Sequence, residues 1–187
     1  MKSVVIAVRV SLLFMVVCGL IYPLATTGVA QVLFPKQANG SLIESGGVVV
    51  GSELLAQGFE SPKLFHPRES AAKYDPTASS GSNRAVASSD YAAELANKIA
   101  ALKEENPTLT DIPADLVTVS GSGFDPDLSL EGAKAQVPRI SAATGVSVGD
   151  LNGLIDRLSK TRQFGILGEP RVNVTELNSE LLKQVKL

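Results

Sequence analysis

The chain has 187 residues, of which 44% are hydrophobic, 19% charged and 5% aromatic, and its formal net charge is −2. This length accommodates one domain with an appendage, and the slight acidity indicates no basic surface, so no nucleic-acid partner is predicted. Because Cys18 is the only cysteine, an intrachain disulfide and a zinc site built on several cysteines are excluded.

The first predicted element is an apolar helix. Residues 10–34 contain no charged side chain, and about 20 helical residues cross the roughly 30 Å hydrocarbon core of a bilayer. Arg9 can extend its guanidinium to the lipid head groups, and Tyr22 suits the opposite interface. Pro23 either kinks this helix or marks where the chain leaves the membrane. Gly19 is one of several small residues that permit close packing against partner helices.

A cleaved signal peptide is the alternative to a retained anchor. The small residues of TGVAQ allow cleavage after Ala30. The apolar run is long for a signal peptide, so residues 1–34 are predicted to remain as a single transmembrane helix in contact with membrane lipid.

The orientation is predicted from the positive charges. Lys2 and Arg9 precede the span, whereas only Lys36 follows it closely and the next cation is Lys63. The excess of positive charge places the N-terminus in the cytoplasm and the following domain outside it.

The residues after the span are predicted to form a linker, residues 35–41, and a globular domain, residues 42–187. Two β-rich runs, residues 42–43 and 48–50, flank a Ser-Gly-Gly turn and predict a hairpin. Residues 59–89 then show no clear periodicity and are rich in Ser, Pro, Gly and Asn. A loop of this length in a compact domain is usually functional or covered by a partner.

Helices and strands interleave in the rest of the domain. The clearest helix is capped by Ser89 or Asp90 and ends at Asn106-Pro107. A strand is predicted at residues 116–119. Ser129 caps a further helix, which Pro138 must break or kink.

The last predicted elements are two helices with a strand between them. Ser147 and Asp150 form a variant capping box before one helix, residues 171–174 predict a strand, and residues 175–185 predict a terminal helix. The fold class is therefore mixed α/β, or α+β. The predicted core takes apolar residues from three helices: Leu95, Ile99, Leu154, Ile155, Leu177 and Leu181.

The sequence offers few groups for catalysis. His66 is the only histidine, so a two-histidine metal motif cannot form, and it is interpreted as a surface or packing residue. Asp125 and Asp127 suit cation binding or acid–base chemistry, but a turn at Asp125-Pro126, followed by a helix cap at Asp127 or Ser129, is favoured. No catalytic or metal-binding residue is predicted.

The glycine loop, residues 120–127 with the sequence SGSGFDPD, invites comparison with phosphate-binding loops. It has no lysine, and Pro126 occupies the place of the third glycine of a dinucleotide motif. Its two carboxylates would repel a phosphate. A structural turn is therefore favoured over a nucleotide-binding loop. Residues 81–83, GSN, form a second polar turn whose amides can hold an anion or a partner's carbonyl.

Three stretches together resemble one family. They are YDPTASSGSN at residues 74–83, PADLVTVSGSGFDPDLS with QVPRI at residues 113–140, and GILGEPRVNVTELNSEL at residues 165–181. In this order after one N-terminal span, they are similar to the C subunit of the Kdp potassium-transporting P-type ATPase. The resemblance covers essentially the whole chain. FHPRESAA is a loose version of the family's segment, and Asp127 stands where many members have histidine.

The resemblance implies a non-catalytic accessory subunit of an ATP-driven, high-affinity potassium import complex. The implied partners are a channel-like, potassium-translocating A subunit and an ATP-hydrolysing B subunit. The family's C subunit is held in the bacterial inner membrane by one helix, with its globular domain periplasmic. The resemblance also implies a role in assembly and a catalytic chaperone role that raises the B subunit's affinity for ATP.

ATP is expected at the level of the complex, and no cofactor is predicted to bind this chain. The motif Asp-Lys-Thr-Gly of the phosphorylated pump does not occur. Because ATP is cytoplasmic and the charge rule places the domain outside, an effect on ATP handling would pass through the helix or the conformation of the complex. The candidate partner or functional loops contain Gly81, Ser82, Asn83, Ser120, Gly121, Ser122, Gly123, Asp125, Asp127, Gln136, Arg139, Gly168, Glu169, Pro170 and Asn173.

Two other classes of function stay open. One is an anchored or secreted module that binds a small envelope ligand, which would be unpartnered and soluble without residues 1–30. The other is an enzyme that uses Asp125 and Asp127, which would show activity as an isolated domain.

Overall fold

The computed structural model describes residues 2–107 and 109–185. The chain divides into two compact units, one ending at Leu42 and the other beginning at Ile43. The predicted boundaries of anchor, linker and domain stay predictions.

One continuous helix, Lys2–Leu33, dominates the first unit, and it is the one helix of the described chain long and apolar enough to cross a membrane. It comprises α1 (Lys2–Val16), a π-helical turn (Val17–Ile21) and α2 (Tyr22–Leu33). Pro23 lies in the first turn of α2 and does not end the helix. A proline has no N–H to donate to the preceding turn of a helix. The turn that precedes Pro23 is the wider, π-helical one, Val17–Ile21.

The segment predicted as a linker contains a single helical turn, α3 (Pro35–Ala38). Proline at the first position of this turn is favourable, since its missing N–H would have no partner there. Gly40, with a φ of 88°, ends the turn.

A hairpin opens the sheet structure, as the sequence predicts. Strands β1 (Leu42–Ser45) and β2 (Val48–Ser52) form a two-stranded sheet. The connecting residues Gly46 and Gly47 have φ values of 59° and 81°, which suit a two-residue turn of the twist that hairpins prefer. Residues 56–88, all of them described, then run without a helix or strand.

Helix α4 (Ser89–Glu105) forms where predicted, but it does not contribute to the core. Leu95 and Ile99 are only half-buried, so their prediction as core residues is wrong. The apolar periodicity is real, but α4 has no buried residue and meets the long loop through the ion pair of Lys98 with Glu69.

The remaining elements build the centre of the domain. After a 3-10 turn (Ala114–Leu116) the chain forms β3 (Asp127–Leu128), α5 (Leu130–Ala135), α6 (Val137–Thr144), α7 (Val148–Leu158), β4 (Val172–Asn173) and α8 (Val174–Gln184). Strand β3 pairs antiparallel with β4, with Asp127 opposite Asn173 and Leu128 opposite Val172. The mixed helix-and-strand class is confirmed.

The strand predicted at residues 116–119 is wrong. Val117 donates its N–H to the carbonyl of Ala114, and the hydroxyl of Thr118 bonds the same carbonyl. The Asp115 carboxylate accepts the N–H of Ser129 at 2.7 Å. These bonds curl the segment towards the start of α5 and override the β-branched pattern.

The predicted helix starts at Ser129 and Ser147 and the predicted break agree with the structure, whereas the predicted cap of α4 at Ser89 or Asp90 is wrong, because Ser88 precedes that helix and makes no side-chain cap hydrogen bond. Ser129 and Ser147 accept the N–H groups of Gly132 and Asp150, as N-cap residues do. The helix after Ser129 breaks at Gln136, two residues before Pro138. Both helices contribute to the core, α5 with Ala133 and α6 with Val137 and Ile140.

The apolar core lies among β3, β4 and α5 to α8. Leu154, Ile155, Leu177 and Leu181 are buried there, as predicted. Phe65 joins them from the long loop with 0% of its surface exposed. The loop is therefore part of the core and not a free excursion from it.

Candidate functional site

Two side-chain amides hold the long loop in place. Asn178 of α8 accepts the N–H of Phe65 at 2.8 Å and donates to its carbonyl at 2.8 Å. Gln136 accepts the N–H of His66 at 2.8 Å and donates to its carbonyl at 3.0 Å. Each amide replaces the neighbouring strand that an extended backbone would otherwise need. Phe65 can therefore stay in the core with its peptide groups satisfied.

Arg139 of α6 extends this contact. Its Nη1 donates to the carbonyl of Pro62 at 2.6 Å, and its Nη2 donates to the carbonyl of Leu64 at 3.1 Å. Nη2 also bonds Gln136 Oε1 at 2.7 Å. The structure thus brings together Gln136 and Arg139, two of the candidate residues, and uses both to position residues 62–66.

The glycine loop is tied together by its serines. Buried Ser120 donates its N–H to the carbonyl of Glu69, and its Oγ accepts the N–H of Gly123 at 2.8 Å. Gly123 has a φ of 78°, a conformation that side chains other than hydrogen strain. Ser122 Oγ accepts the N–H of Phe124. These bonds occupy the amides of Ser120, Gly123 and Phe124, whereas a phosphate-binding loop points its amides at the ligand.

The second polar turn covers the glycine loop. Ser79 Oγ donates to the carbonyl of Ser122 at 3.0 Å. A Cβ added to Gly81 would lie 3.1 Å from the carbonyl oxygen of Gly121, and one added to Gly123 would lie 3.0 Å from that of Ser80. The two glycine-containing segments therefore meet at backbone contact, and the glycines are needed for that approach. Half-buried Ser82 and exposed Asn83 follow directly.

Each aspartate of the loop is matched to an arginine. Asp125 Oδ2 lies 3.0 Å from Arg68 Nη1, and Asp127 Oδ2 lies 2.8 Å from Arg171 Nε. Asp125 Oδ1 also accepts the N–H of Asp127 across Pro126. The predicted turn is confirmed, whereas the predicted helix cap at this point is provided by Ser129 alone. Arg68 and Arg171 were not singled out from the sequence, because no local pattern links them to residues so far away.

The third family stretch, residues 165–181, contains an exposed loop followed by the hydrogen-bonded start of α8. Asn173 accepts the N–H of Glu176 as the N-cap, and its Nδ2 donates to the carbonyl of Glu53 at 2.7 Å. Gly168 has a φ of 78°, and exposed Glu169 pairs with Arg162 at 2.6 Å. Pro170 is also exposed.

A cleft of about 850 Å³ lies between α4 and the long loop. Burial, then the charge of Arg139, lowers the pKa of His66. Burial opposes the charged form of Lys98, but its hydrogen bonds with Glu69 and Glu94 outweigh this and raise its pKa. Burial, then the charge of Glu69, raises the pKa of Tyr74. The cleft thus holds His66 and Tyr74 neutral and Lys98 charged at neutral pH.

His66 donates its Nε2–H to the carbonyl of Ser61 at 3.0 Å, which agrees with its interpretation as a surface or packing residue. Within residues 2–107 and 109–185, no three His, Cys, Asp or Glu side chains come together as a metal site. The contacts of the site order the chain's own loops.

Asn178 is the central residue that the sequence reading missed. It is 1% exposed and lies between Leu177 and Leu181 on the buried face of α8. A lone amide on an apolar helical face is the signal that was available, because such a group must find a hydrogen-bond partner when buried. Its partner, Phe65, lies 113 residues away.

An N-terminal helix of membrane-spanning length and a mixed helix-and-strand domain define a membrane-associated protein with one folded domain. Comparison with known families gives the finer assignment. The family model for KdpC, the C chain of K⁺-transporting ATPases, matches residues 4–183.

Individual relatives agree with this match. A potassium-transporting ATPase KdpC subunit of Caulobacter vibrioides strain NA1000 is 52% identical over 172 residues, covering 90% of this chain and 87% of the relative. KdpC subunits of Geobacter sulfurreducens and Caldanaerobacter subterraneus are 46% and 43% identical, over 97% and 96% of this chain and 97% and 94% of the relatives. The chain belongs to the KdpC family of potassium-transporting ATPase subunits.

Proposed function

We propose that this subunit assembles and stabilises an ATP-driven potassium import complex, and that its partners carry out transport and ATP hydrolysis. The partners are a channel-like A subunit and an ATP-hydrolysing B subunit. Membership of the KdpC family supports this proposal.

The observation that carries the proposal is that the charged groups of the glycine loop are already paired within the chain and its backbone is already packed. Its carboxylates face Arg68 and Arg171, and Gly123 lies against the backbone of Ser80. A nucleotide phosphate at this loop would have to displace residues 79–81 and compete with two carboxylates. The loop therefore acts as a structural joint and does not bind ATP.

The domain lies outside the cytoplasm in this proposal, in the bacterial inner membrane with the N-terminus inside. Lys2 and Arg9 precede the span, and only Lys36 follows it closely. The positive-inside rule supports this orientation.

A catalytic chaperone effect on ATP affinity forms the second part of the proposal. With the domain outside, this effect passes through the membrane helix and the conformation of the complex. The π-helical turn Val17–Ile21, which contains Gly19, supports such a route. Turns of this type recur at functional sites of helices, and glycine admits close helix contact.

The test compares two variants in cells that depend on this pump for potassium. The first variant, Asp125→Asn with Asp127→Asn, retains the shape of the turn. Both ion pairs are partly exposed, so their loss costs about 0–1 kcal/mol each. The second replaces residues 1–35 with an unrelated membrane anchor.

The aspartate variant is expected to co-purify with its partners, to support growth at low potassium and to leave the apparent KM for ATP unchanged. The anchor variant is expected to lose assembly and growth together. Asp90→Asn with Asp111→Asn, two exposed positions, is the matched control. A fully assembled aspartate variant with a raised KM for ATP would assign nucleotide handling to the loop. An unsubstituted chain that purifies alone would instead favour a binding module for an envelope ligand.

A further inference from the structure

Helix α4 is held to its domain more weakly than the other long helices of that domain. None of its 17 residues is buried, whereas α7 and α8, with 11 residues each, bury three and five. Among the described residues, the apolar core and the side chains packed against it include no residue of α4. Local opening of a fold begins where few apolar groups are buried. Of these three helices, α4 is therefore the one expected to open first.

The two ends of α4 are anchored differently. The N-terminal end follows exposed residues 83–87, and Ser88 makes no side-chain cap hydrogen bond there. At the C-terminal end, Asn106 is 3% exposed. It bonds the carbonyl of Leu102 through its backbone N–H at 2.9 Å and through its Nδ2 at 3.0 Å. Movement of α4 would therefore pivot on the buried Asn106 and release the N-terminal end.

An ion pair near the middle of α4 joins it to the long loop. Lys98 Nζ lies 2.6 Å from Glu69 Oε2 on that loop and 3.0 Å from Glu94 Oε1 on its own helix. The side chain of Glu69 is 52% exposed, and ion pairs this exposed contribute little to stability. The contact is thus specific in position but easily broken.

The cleft of about 850 Å³ lies beside this ion pair. Leu102 of α4 lines one wall, and Phe59 and Tyr74 of the long loop line the other. Atoms that line a cleft have no packing partner across it. Few apolar contacts are therefore lost when the two walls separate.

We propose that α4 is a lid over this cleft, which opens about Asn106 with the Lys98–Glu69 ion pair as its latch, while the core of the domain stays folded. An isolated helix of this length is at best marginal in water, so the opened α4 loses its helical hydrogen bonds. Lids are drawn from the least stable parts of a fold. The inference concerns the chain by itself, so it stands or fails separately from the proposed function.

The first experiment is hydrogen–deuterium exchange of the full-length chain in detergent, followed by mass spectrometry of its peptides. We expect the amides of α4 to exchange at least about tenfold faster than those of α7 and α8, as a helix that opens separately from the core should. Equal protection of the three helices would overturn the proposal.

A change in the core then separates opening of the lid from unfolding of the domain. Leu154→Ala should speed exchange in α7 and α8 at least about tenfold, as loss of a buried leucine side chain does. Exchange in α4 should stay unchanged, because the core is intact whether the lid is closed or open. Ile155→Val is the milder variant if Leu154→Ala does not fold, with an expected acceleration of about two- to tenfold in α7 and α8. A parallel acceleration of α4 in the variant that folds would overturn the proposal.

The latch is tested by Glu69→Gln, which keeps the shape of the side chain and removes its charge. Exchange in α4 should rise about two- to fivefold, the range that a partly exposed ion pair supports. The matched control is Glu180→Gln, which removes the partner of Lys183 on α8 and should leave exchange in α4 unchanged. Equal exchange of α4 in the two variants would overturn the role of the latch.

Discussion

Removal of the Asn178 side chain is expected to destabilise the domain much more than its size suggests. In Asn178→Ala, the N–H and C=O of Phe65 both lose their partner. Because Phe65 is 0% exposed, both groups are then left buried without a hydrogen bond. Each buried group left without a hydrogen bond costs about 1–3 kcal/mol. The free energy of unfolding should therefore fall by roughly 2–6 kcal/mol, the sum of two such losses.

The matched control is Asn97→Ala, at an exposed position within α4. Both changes replace asparagine with alanine inside a helix, so the gain in helix propensity is common to both and cancels. The difference between the two variants isolates the contact with Phe65.

The assay is urea and thermal unfolding of the full chain in detergent, followed by circular dichroism. A loss of about 3 kcal/mol corresponds to a fall in Tm of roughly 6–12 °C for a domain of about 150 residues. A difference of less than about 1 kcal/mol between the variants, within the net worth of one ordinary hydrogen bond, would refute the reasoning. The peptide groups of Phe65 would then have other partners or water.

Three further predictions concern the loop, the histidine and the topology. Gly123 and Gly145 share a φ of 78°, but only at Gly123 would an added Cβ lie 3.0 Å from a carbonyl oxygen. Urea unfolding should therefore show that Gly123→Ala lowers the free energy of unfolding by about 1–3 kcal/mol more than Gly145→Ala does. Equal losses for the two variants would contradict the packed loop. Because burial and Arg139 lower the folded-state pKa of His66, stability should fall as the pH drops below about 6.5, where the unfolded chain takes up the proton. His66→Gln should reduce this fall, and identical pH profiles would refute the assignment. Protease added to intact spheroplasts should digest the chain beyond about Lys36, whereas a protected domain or a mature N-terminus at Gln31 would contradict the topology.

The helices could be predicted from the sequence because their signals are local. Ser147 before an apolar repeat gives α7 its start, and Leu154 and Leu181 follow the spacing of a buried helical face. The apolar span and the family motifs are equally properties of short stretches. The same local reasoning fails at residues 116–119, where β-branched residues form no strand because Asp115 and Ala114 bond the segment elsewhere.

The candidate site could be predicted only in part. The three motifs do contain Gln136, Arg139 and Asn173, and each of these residues fixes a backbone segment distant in sequence. Their role was not apparent from the motifs, because a partner loop rich in serine and proline carries no periodic signal. The motif residues are shown to order the fold, and their contact with other subunits stays a prediction.

The sequence by itself determined the apolar span, the positions of the main helices, the glycine turns and the membership of a transport-ATPase family. Those features depend on residues within a few turns of one another. Only the tertiary structure decided that Phe65 is core while Leu95 is not, and that the loop aspartates face Arg68 and Arg171. The physical reason is that a buried peptide group must be satisfied wherever a partner is available. For Phe65 that partner is Asn178, 113 residues further along the chain.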